Sequence, residues 1–170
     1  KIKPNIIFHL AAQPLVIESY TKPIDTFNIN VNGTINILDI VRSCKFVKSF
    51  IAVTSDKCYE NIGKRGGYLE TDKLGGSDPY SASKAATELV VNSYYKSFFE
   101  SENKCGISSV RAGNVIGGGD WSKNRLIPDC IRSLLSNKEI YLRNPNFTRP
   151  WQHVLEPLKG YLILAKKQFE

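Results

Sequence analysis

The chain has 170 residues, of which 42% are hydrophobic and 23% are charged, and its formal net charge is +7. This composition offers enough apolar surface to offset the entropy of ordering the chain, so it is typical of a globular domain and excludes an intrinsically disordered segment. No apolar run approaches the roughly 20 residues that a membrane-spanning helix needs, and we expect no transmembrane segment.

The positive charges and the cysteines both lack the grouping that marks a special site. Lysines and arginines are scattered along the chain, which favours a solvated basic surface, or attraction of a small anion, over binding to nucleic acid. No cysteines form a CxxC pair or join a histidine cluster, so neither a metal site nor a disulfide framework is expected. We expect free thiols in a reducing cytoplasm at Cys44, Cys58, Cys105 and Cys130.

The elements predicted along the chain alternate between short apolar strands and amphipathic helices. The first is a continuous apolar run at 5–10, which is typical of a strand buried on both faces of a parallel sheet. Residues 60–79 contain five glycines and one proline and are predicted to form a long loop, which usually serves a function. The remaining predicted elements are a helix from Pro23 to about Cys44, a strand at 50–54, a helix at 80–99, a strand at 107–112, a turn at 117–120, a helix at 127–136, a strand at 140–142 and a helix from about Pro157.

This alternation predicts the fold class. Strand, helix, strand, helix and strand in that order indicate a Rossmann-like, doubly wound α/β fold with a parallel sheet and right-handed crossovers. Ligands of such sheets bind at the carboxyl ends of the strands. The polar clusters of this chain follow the predicted strands, at Ala11–Gln13, Ser55–Lys57 and Arg111–Asn114. They therefore predict a binding site at that edge of the sheet.

The glycine-rich turn of a dinucleotide-binding sheet does not occur at its usual place. Such a sheet opens with this turn after its first strand and has an acidic residue about 20 positions later, and neither precedes Asn5. The chain also contains no methionine. We expect it to correspond to the second half of such a sheet, followed after Gly117 by the start of a small substrate-binding lobe. The Gly117–Gly119 turn comes too late to hold a phosphate in this way.

Tyr80 and Lys84 are the first candidates for catalysis. Four residues apart, they share one face of the predicted helix, where a phenol beside an ammonium can serve as acid and base for a substrate hydroxyl. A solvated helical pair would show the same spacing. Ser55, at the end of a predicted strand, is placed to hydrogen-bond the same substrate oxygen. This combination of Ser, Tyr and Lys is similar to that of the short-chain dehydrogenase/reductase enzymes.

Five longer segments carry a more specific resemblance. They are His9–Gln13 (HLAAQ), Thr54–Tyr59 (TSDKCY), Asp78–Lys84 (DPYSASK), Arg111–Trp121 (RAGNVIGGGDW) and Arg149–Val154 (RPWQHV). Together they resemble the CDP-glucose 4,6-dehydratases, which are extended short-chain dehydrogenase/reductases that modify nucleotide sugars. The resemblance runs over nearly the whole chain, and its GGGDW and PWQH blocks are much more specific than a Tyr-Lys pair.

The resemblance implies a lyase that converts CDP-glucose to CDP-4-keto-6-deoxyglucose and water, with transient storage of a hydride on NAD. It implies that Tyr80 removes the O4 proton, that Ser55 orients O4, and that Lys84 holds the cofactor ribose and lowers the pKa of Tyr80. Asp56 lies where such dehydratases keep the general acid for the departing C6 hydroxyl. Lys57 stands where enzymes acting on dTDP-sugars have a glutamate as C5 base. Its implied role is C5 deprotonation or stabilisation of the resulting enolate.

The resemblance also implies where the ligands bind and how the chain is organised. Residues 1–116 are expected to form the C-terminal part of an NAD-binding domain, and 117–170 part of a nucleotide-sugar-binding region interleaved with it. With half of the cofactor site missing, we expect the chain alone to be inactive. The 80–99 helix suits a helix-to-helix contact in a homodimer or higher homo-oligomer. The residues implied to contact NAD are Ala11, Ala12, Gln13, Asn30, Thr54, Tyr80 and Lys84, and those implied to contact the nucleotide sugar are Asn114, Arg125 and Arg149.

Two other functions remain open at this point. A related epimerase or dehydratase acting on another nucleotide sugar would keep Tyr80 and Lys84 but would not need the adjacent Asp56 and Lys57. A non-catalytic cofactor-binding module would be expected to lose Tyr80 or Lys84, and both residues are present.

Overall fold

The computed structural model describes residues 2–101 and 104–170. Short π-helical segments at Asn28–Asn32 and Tyr95–Phe99 continue two of the helices, and a 3₁₀ turn spans Asp56–Cys58. The strands are β1 (Ile6–His9), β2 (Ser49–Val53), β3 (Gly106–Val110), β4 (Asn114–Ile116) and β5 (Trp151–His153). The helices are α1 (Val16–Thr21), α2 (Pro23–Phe27), α3 (Gly33–Ser43), α4 (Pro79–Tyr94), α5 (Leu126–Leu135) and α6 (Leu155–Phe169).

The larger sheet consists of parallel strands in the order β1-β2-β3. Ile7 of β1 lies opposite Phe50 of β2, which in turn lies opposite Ile107 of β3. Helices α2 and α3 lie between β1 and β2 in the chain, and α4 lies between β2 and β3. Parallel neighbours joined by helical crossovers confirm the predicted Rossmann-like α/β fold.

Helices cover both faces of this sheet. Successive side chains of a strand point in opposite directions, so one strand packs against both layers of helices. On one face, β2 contributes to a core that α3 and α4 complete. On the other face, Ser49 Oγ donates to Gln168 Oε1 of α6 at 2.6 Å. Gly106 approaches α6 so closely that a β-carbon there would lie 2.6 Å from the Gln168 side chain. The buried core residues on the first face are Leu38, Val41, Val47, Phe50, Ala52, Val91, Phe99, Cys105 and Ile107.

The prediction that β1 is buried on both faces is wrong. The central strand β2 fits that description, since its residues from Ser49 to Ala52 are buried. β1 instead has a strand partner on one side only within the described part of the chain, and Ile6 is 37% exposed. An apolar run alone does not distinguish an outer strand from a central one.

A two-stranded parallel sheet formed by β4 and β5 is absent from the sequence prediction. In this sheet Asn114 lies opposite Trp151, and Ile116 lies opposite His153. The predicted strand at 140–142 is wrong, because these residues belong to no strand and Tyr141 is 84% exposed. Strands of three residues are too short to show the alternation by which strands are recognised.

The remaining predicted elements occur close to their predicted bounds. The helix predicted from Pro23 is confirmed as α2, a π-helical segment and α3, and the helix predicted at 80–99 as α4 with its π-helical extension. The loop at 60–79 is confirmed, with an isolated bridge between Tyr59 and Leu74 near its ends. α1 is an additional helix of six residues, a length too short for apolar periodicity to reveal.

Three further observations bear on the kind of site this fold can carry. No helix in residues 2–101 or 104–170 combines the length and apolarity needed to cross a bilayer. In the same described residues, no group of three or more His, Cys, Asp or Glu side chains is arranged to hold a metal ion. All four cysteines are unpaired thiols.

Candidate active site

The carboxyl ends of β2 and β3 bring two polar segments side by side. Thr54 N donates to Val110 O at 2.9 Å, and Asp56 N donates to Ala112 O at 3.0 Å. The pairing of the two chain segments thus continues beyond the last strand residues. These bonds place 54–57 beside 110–114, as expected for parallel strands that share one edge of the sheet.

Helix α4 begins next to these strand ends, and local hydrogen bonds fix its first turn. Asp78 is the N-cap, whose Oδ1 accepts from Ser81 N at 3.0 Å and whose Oδ2 accepts from Ser81 Oγ at 2.6 Å. Pro79 occupies the first turn, where its missing N–H has no helical partner to lose. Gly76 packs so closely here that a β-carbon would lie 2.5 Å from Ala82 N. The turn defined in this way carries the predicted catalytic tyrosine.

Tyr80 and Ser55 form the centre of the candidate site. Each is 7% exposed, and the Ser55 hydroxyl is one of the groups that act on the Tyr80 phenol. Burial raises the pKa of Tyr80, whereas the hydrogen bond with Ser55 and the positive charge of Arg125 act in the opposite direction. The expectation of a pKa lowered by Lys84 is therefore wrong for this structure, because burying a phenolate costs more than these interactions recover.

Lys84 lies one helical turn beyond Tyr80, and its ammonium contacts the sheet. Lys84 is 5% exposed, and its Nζ donates to Val53 O at 3.1 Å. Burial lowers the pKa of Lys84 to about 8, and the carboxylate of Glu88 opposes this shift. Burial and the charge of Lys84 lower the pKa of His9 at the end of β1. Lys84 is thus a buried cation behind the strand ends, with a neutral imidazole as its neighbour.

Asp56 and Lys57 lie together in the 3₁₀ turn that Ser55 caps. Ser55 Oγ accepts from Lys57 N at 3.2 Å and donates to Asp56 Oδ1 at 3.1 Å. Lys57 Nζ lies 3.4 Å from Asp56 Oδ1 and 3.5 Å from Asn114 Oδ1. The Lys57 and Asp56 side chains are 34% and 29% exposed, so both remain accessible to a ligand. The contact between Lys57 and Asn114 was not apparent in the sequence.

Gln13 and Asn30, which the sequence assigns to the cofactor, bond to each other and to the interior. Asn30 Oδ1 accepts from Gln13 N at 2.8 Å, and Asn30 Nδ2 donates to Ser83 Oγ at 2.8 Å. Gln13 Nε2 donates to Thr26 Oγ1 at 2.8 Å. Both Gln13 and Asn30 are buried. Their amides therefore hold the segment after β1 against α2 and α4.

The other residues assigned to the cofactor differ in their surroundings. Ala11 is exposed and Ala12 is half-buried directly after β1. Thr54 is 6% exposed, and its hydroxyl contacts the Glu88 carboxylate and Val110 O. Thr54 is therefore held by the protein itself, whereas the two alanines offer small side chains and accessible backbone.

A buried ion pair behind the site went unrecognised in the sequence. Arg111 Nη2 lies 2.7 Å from Glu88 Oε2, and the two side chains are 17% and 4% exposed. Ser109 Oγ donates to the same carboxylate at 2.7 Å. Burial alone would raise the pKa of Glu88, but hydrogen bonds from Arg111, Thr54 and Ser109 outweigh it and lower this pKa. Glu88 is thus a carboxylate that the protein keeps ionised in its interior.

An open cleft of about 1490 Å³ lies at this edge of the sheet. Predicted site residues from all three groups line it, whereas the following predicted residues are not among those that line it: Asp56, Lys84, Ala11, Ala12, Gln13 and Asn30. The predicted residues on the cleft surface are Thr54, Ser55, Lys57, Tyr80, Asn114, Arg125 and Arg149. Catalytic and substrate-binding candidates therefore share one cavity.

Two arginines line the same cleft. Arg125 Nε lies 3.4 Å from Asp120 Oδ2 and has no hydrogen-bond partner among the described residues. Arg149 Nη1 donates to Thr148 O at 2.8 Å, and its guanidinium lies 5.3 Å from the centre of the Phe147 ring. Guanidinium groups with free donors suit phosphate oxygens, so the cleft can accept an anionic ligand.

Comparison with known proteins gives the family to which the chain belongs. The family model described as GDP-mannose 4,6 dehydratase matches residues 1–169. The chain belongs to this family. It is 50% identical to a CDP-glucose 4,6-dehydratase of Salmonella typhimurium, over 99% of the chain and 48% of that relative. It is 31% identical to a dTDP-D-glucose 4,6-dehydratase of Dictyostelium discoideum, over 98% of the chain and 39% of that relative.

Solved structures of family members have the same fold. A dTDP-glucose 4,6-dehydratase of Streptomyces venezuelae, crystallised with NAD, superposes with a TM-score of 0.82 at 27% identity, over 95% of the chain and 48% of that structure. A UDP-galactose 4-epimerase superposes with a TM-score of 0.77 at 30% identity, over 98% of the chain and 52% of that structure. The chain spans about half the length of the curated relatives it matches. These comparisons confirm the resemblance of the sequence motifs to the CDP-glucose 4,6-dehydratases.

Proposed function

We propose that this chain supplies the acid/base centre and part of the substrate cleft of an NAD-dependent lyase that converts CDP-glucose to CDP-4-keto-6-deoxyglucose and water. The observation that supports it most is the cleft shared by Tyr80, Ser55, Lys57 and Asn114, in a chain 50% identical to a CDP-glucose 4,6-dehydratase. In this proposal residues 1–116 belong to the NAD-binding domain. Residues 117–170 belong to the nucleotide-sugar-binding region interleaved with it.

The buried ammonium of Lys84 fits a nicotinamide cofactor. Within the described residues its Nζ makes one hydrogen bond, to Val53 O, whereas an ammonium has three donors. The two other donors suit the neighbouring hydroxyls of a ribose. Ala11 and Ala12 would contact the cofactor through backbone and small side chains, and Gln13 would hold them in place. NAD, when bound, supplies reversible acceptance of a hydride from C4 and its return at C6.

Tyr80 is the proposed acid and base for O4. Because burial raises its pKa, the phenol is protonated at rest and accepts the O4 proton only once it is ionised. Ser55, through its hydrogen bond, and Arg125, through its charge, favour the ionised form. Ser55 also orients O4 beside the tyrosine. Removal of the O4 proton allows C4 to become a ketone, which makes the hydrogen on C5 acidic.

Asp56 and Lys57 carry out the proposed elimination. Asp56 is fixed by contacts with Ser55 and Lys57, and it donates a proton to the departing C6 hydroxyl, so that water leaves. Lys57 first passes a proton to Asp56, 3.4 Å away, which makes Asp56 the acid and leaves a neutral amine that takes the C5 proton; alternatively, the ammonium form stabilises the enolate. The Asn114 oxygen, 3.5 Å from Lys57 Nζ, keeps this ammonium group directed at the cleft.

The proposal extends to the nucleotide, the assembly and the location. Arg125 and Arg149 would bind the pyrophosphate of the substrate. A homo-oligomer formed through α4 and its extension is supported by exposed apolar side chains on them, since Leu89 is 60% and Phe98 is 40% exposed. A cytoplasmic location is supported by the unpaired thiols.

The function is tested by incubating the full-length protein with CDP-glucose and NAD and measuring the base-sensitive absorbance of a 4-keto sugar. We expect product from CDP-glucose and none from Tyr80→Phe. Tyr20→Phe serves as the control, because Tyr20 is 65% exposed and lies outside the cleft. Turnover of dTDP-glucose alone would contradict the nucleotide assignment. A C4 epimer formed without loss of water would identify an epimerase.

A further inference from the structure

The Glu88 carboxylate joins parts of the molecule that the proposed mechanism uses separately. Glu88 lies on α4, one helical turn beyond Lys84. Its oxygens accept hydrogen bonds from Thr54 at the end of β2, from Ser109 of β3 and from Arg111 just after β3. One carboxylate therefore fixes α4 against the ends of two strands.

Arg111 extends this connection to the long loop. Its Nη1 donates to Tyr59 OH at 2.9 Å and to Glu70 O at 3.2 Å. The guanidinium also lies 4.8 Å from the centre of the Tyr59 ring. The Tyr59 ring stacks on Tyr68, with 5.1 Å between their centres. A single side chain thus ties the start and the middle of the loop to the Glu88 carboxylate.

The geometry points to Glu88 as a positioning residue for the acid/base centre, acting through Thr54 on the end of β2 and through Arg111 on the loop. By these bonds it fixes the placement of Tyr80 and Lys84 on α4. Glu88 does not line the cleft, so it acts through its neighbours rather than on substrate. This inference rests on the proposed function.

The charge of Glu88 has a separate effect on Lys84. The titratable groups that act on Lys84 or respond to its charge are Glu88 on its own helix and His9 from β1, while β2 presents the Val53 carbonyl. Of these, Glu88 opposes the effect of burial and raises the pKa of Lys84. Without this charge, Lys84 would lose its proton at lower pH. Activity that needs the ammonium form would then decline at lower pH.

Glu88→Gln in the full-length protein tests both consequences. The first readout is kcat with CDP-glucose and NAD, measured as a function of pH. The decline of kcat on the alkaline side, called the alkaline limb, is expected to occur about one pH unit lower than in the parent. The second is hydrogen–deuterium exchange of the amides from Tyr59 to Leu74, which is expected to become about tenfold faster. A residue that merely supports the fold would change the second readout without the first.

Two other variants complete the experiment. Arg111→Lys keeps a cation beside Glu88 but lacks the fork whose two nitrogens reach Glu88 and the loop together. It is expected to accelerate exchange in the loop and to leave the alkaline limb unchanged. Asp39→Asn removes an exposed ion pair with Arg42 on α3, and neither readout is expected to change.

The inference is overturned when Glu88→Gln retains either the parental alkaline limb or the parental exchange in the loop. Should Glu88→Gln fail to fold, Glu88→Asp decides, because its shorter side chain keeps the charge but cannot keep the bonds to both strand ends: faster exchange in the loop together with a reduced kcat supports the inference, and a parental kcat or parental exchange overturns it. A parent protein that does not act on CDP-glucose would contradict the proposed function instead. The role of Glu88 would then be decided by the pKa of Lys84, measured by NMR in the parent and in Glu88→Gln, with a lower value expected in the variant.

Discussion

Replacing Lys84 by methionine measures what the buried ammonium costs the fold. Burial lowers the pKa of Lys84 from 10.5 to about 8, and each pKa unit corresponds to about 1.4 kcal/mol. Keeping the charged form buried therefore destabilises the folded state by roughly 3 kcal/mol. Loss of the hydrogen bond to Val53 O offsets about 1 kcal/mol. We expect Lys84→Met to be more stable than the parent by about 2 kcal/mol at pH 7.

This gain depends on pH in a defined direction. Below about pH 8 Lys84 is charged in the folded and the unfolded state, so its burial penalty is complete. Between about pH 8 and 10.5 the folded protein loses the proton first, the unfolded chain binds more protons, and the parent gains stability as pH rises. The advantage of methionine is therefore expected to shrink by roughly 2 kcal/mol between about pH 7 and pH 9.5.

Urea unfolding of the full-length protein without nucleotide, at both pH values, measures this difference. Lys96 is exposed in the π-helical extension of α4 and provides the control. Lys96→Met is expected to change the free energy of unfolding by less than about 0.5 kcal/mol at either pH. A Lys84→Met variant no more stable than the parent at pH 7, or one whose advantage is independent of pH, would refute the reasoning.

Three further substitutions test individual contacts of the site. Tyr80→Phe removes the proton acceptor and its hydrogen bond with Ser55, so we expect loss of turnover in steady-state kinetics with NAD binding retained in calorimetry; retained turnover would remove the acid/base role. Lys57→Gln is expected to slow incorporation of solvent deuterium at C5 by about 100-fold, measured by NMR, and a parental rate would exclude Lys57 from this step. Asp78→Ala removes the cap that binds Ser81, which is expected to cost about 1 kcal/mol in urea unfolding; an unchanged midpoint would contradict the capping role.

Strands buried in the main sheet are the part of the fold that sequence patterns predict best. β2 and β3 lie within two residues of their predicted bounds. For β2, whose residues from Ser49 to Ala52 are buried, the reason is that burial on both faces favours a continuous apolar run. β4 and β5 have three residues each and show no recognisable period. The apolar stretch at 140–142 was predicted wrongly as a strand. Strand propensity shows that a segment suits a half-buried sheet surface, but not that a neighbouring strand is there to pair with it.

In the candidate site, features that depend on local sequence could be predicted, whereas those that depend on distant contacts could not. The turn at 55–57 and the helical pair of Tyr80 and Lys84 follow from short segments of sequence, and the structure places them together. The direction of the Tyr80 pKa shift could not be predicted, because it depends on how deeply the fold buries the phenol. The ion pair of Glu88 and Arg111 joins residues 23 positions apart on separate elements, and no local pattern couples them.

Transfer of hydrogen within one sugar molecule tests the proposed dehydration most directly. The full-length protein is incubated with NAD and CDP-glucose that carries deuterium at C4, and the position of the label in the product is read by NMR. We predict that the deuterium appears at C6 of the 4-keto-6-deoxy sugar. Deuterium retained at C4 of a converted sugar, or lost to the solvent, would contradict the assignment of this chain to such an enzyme.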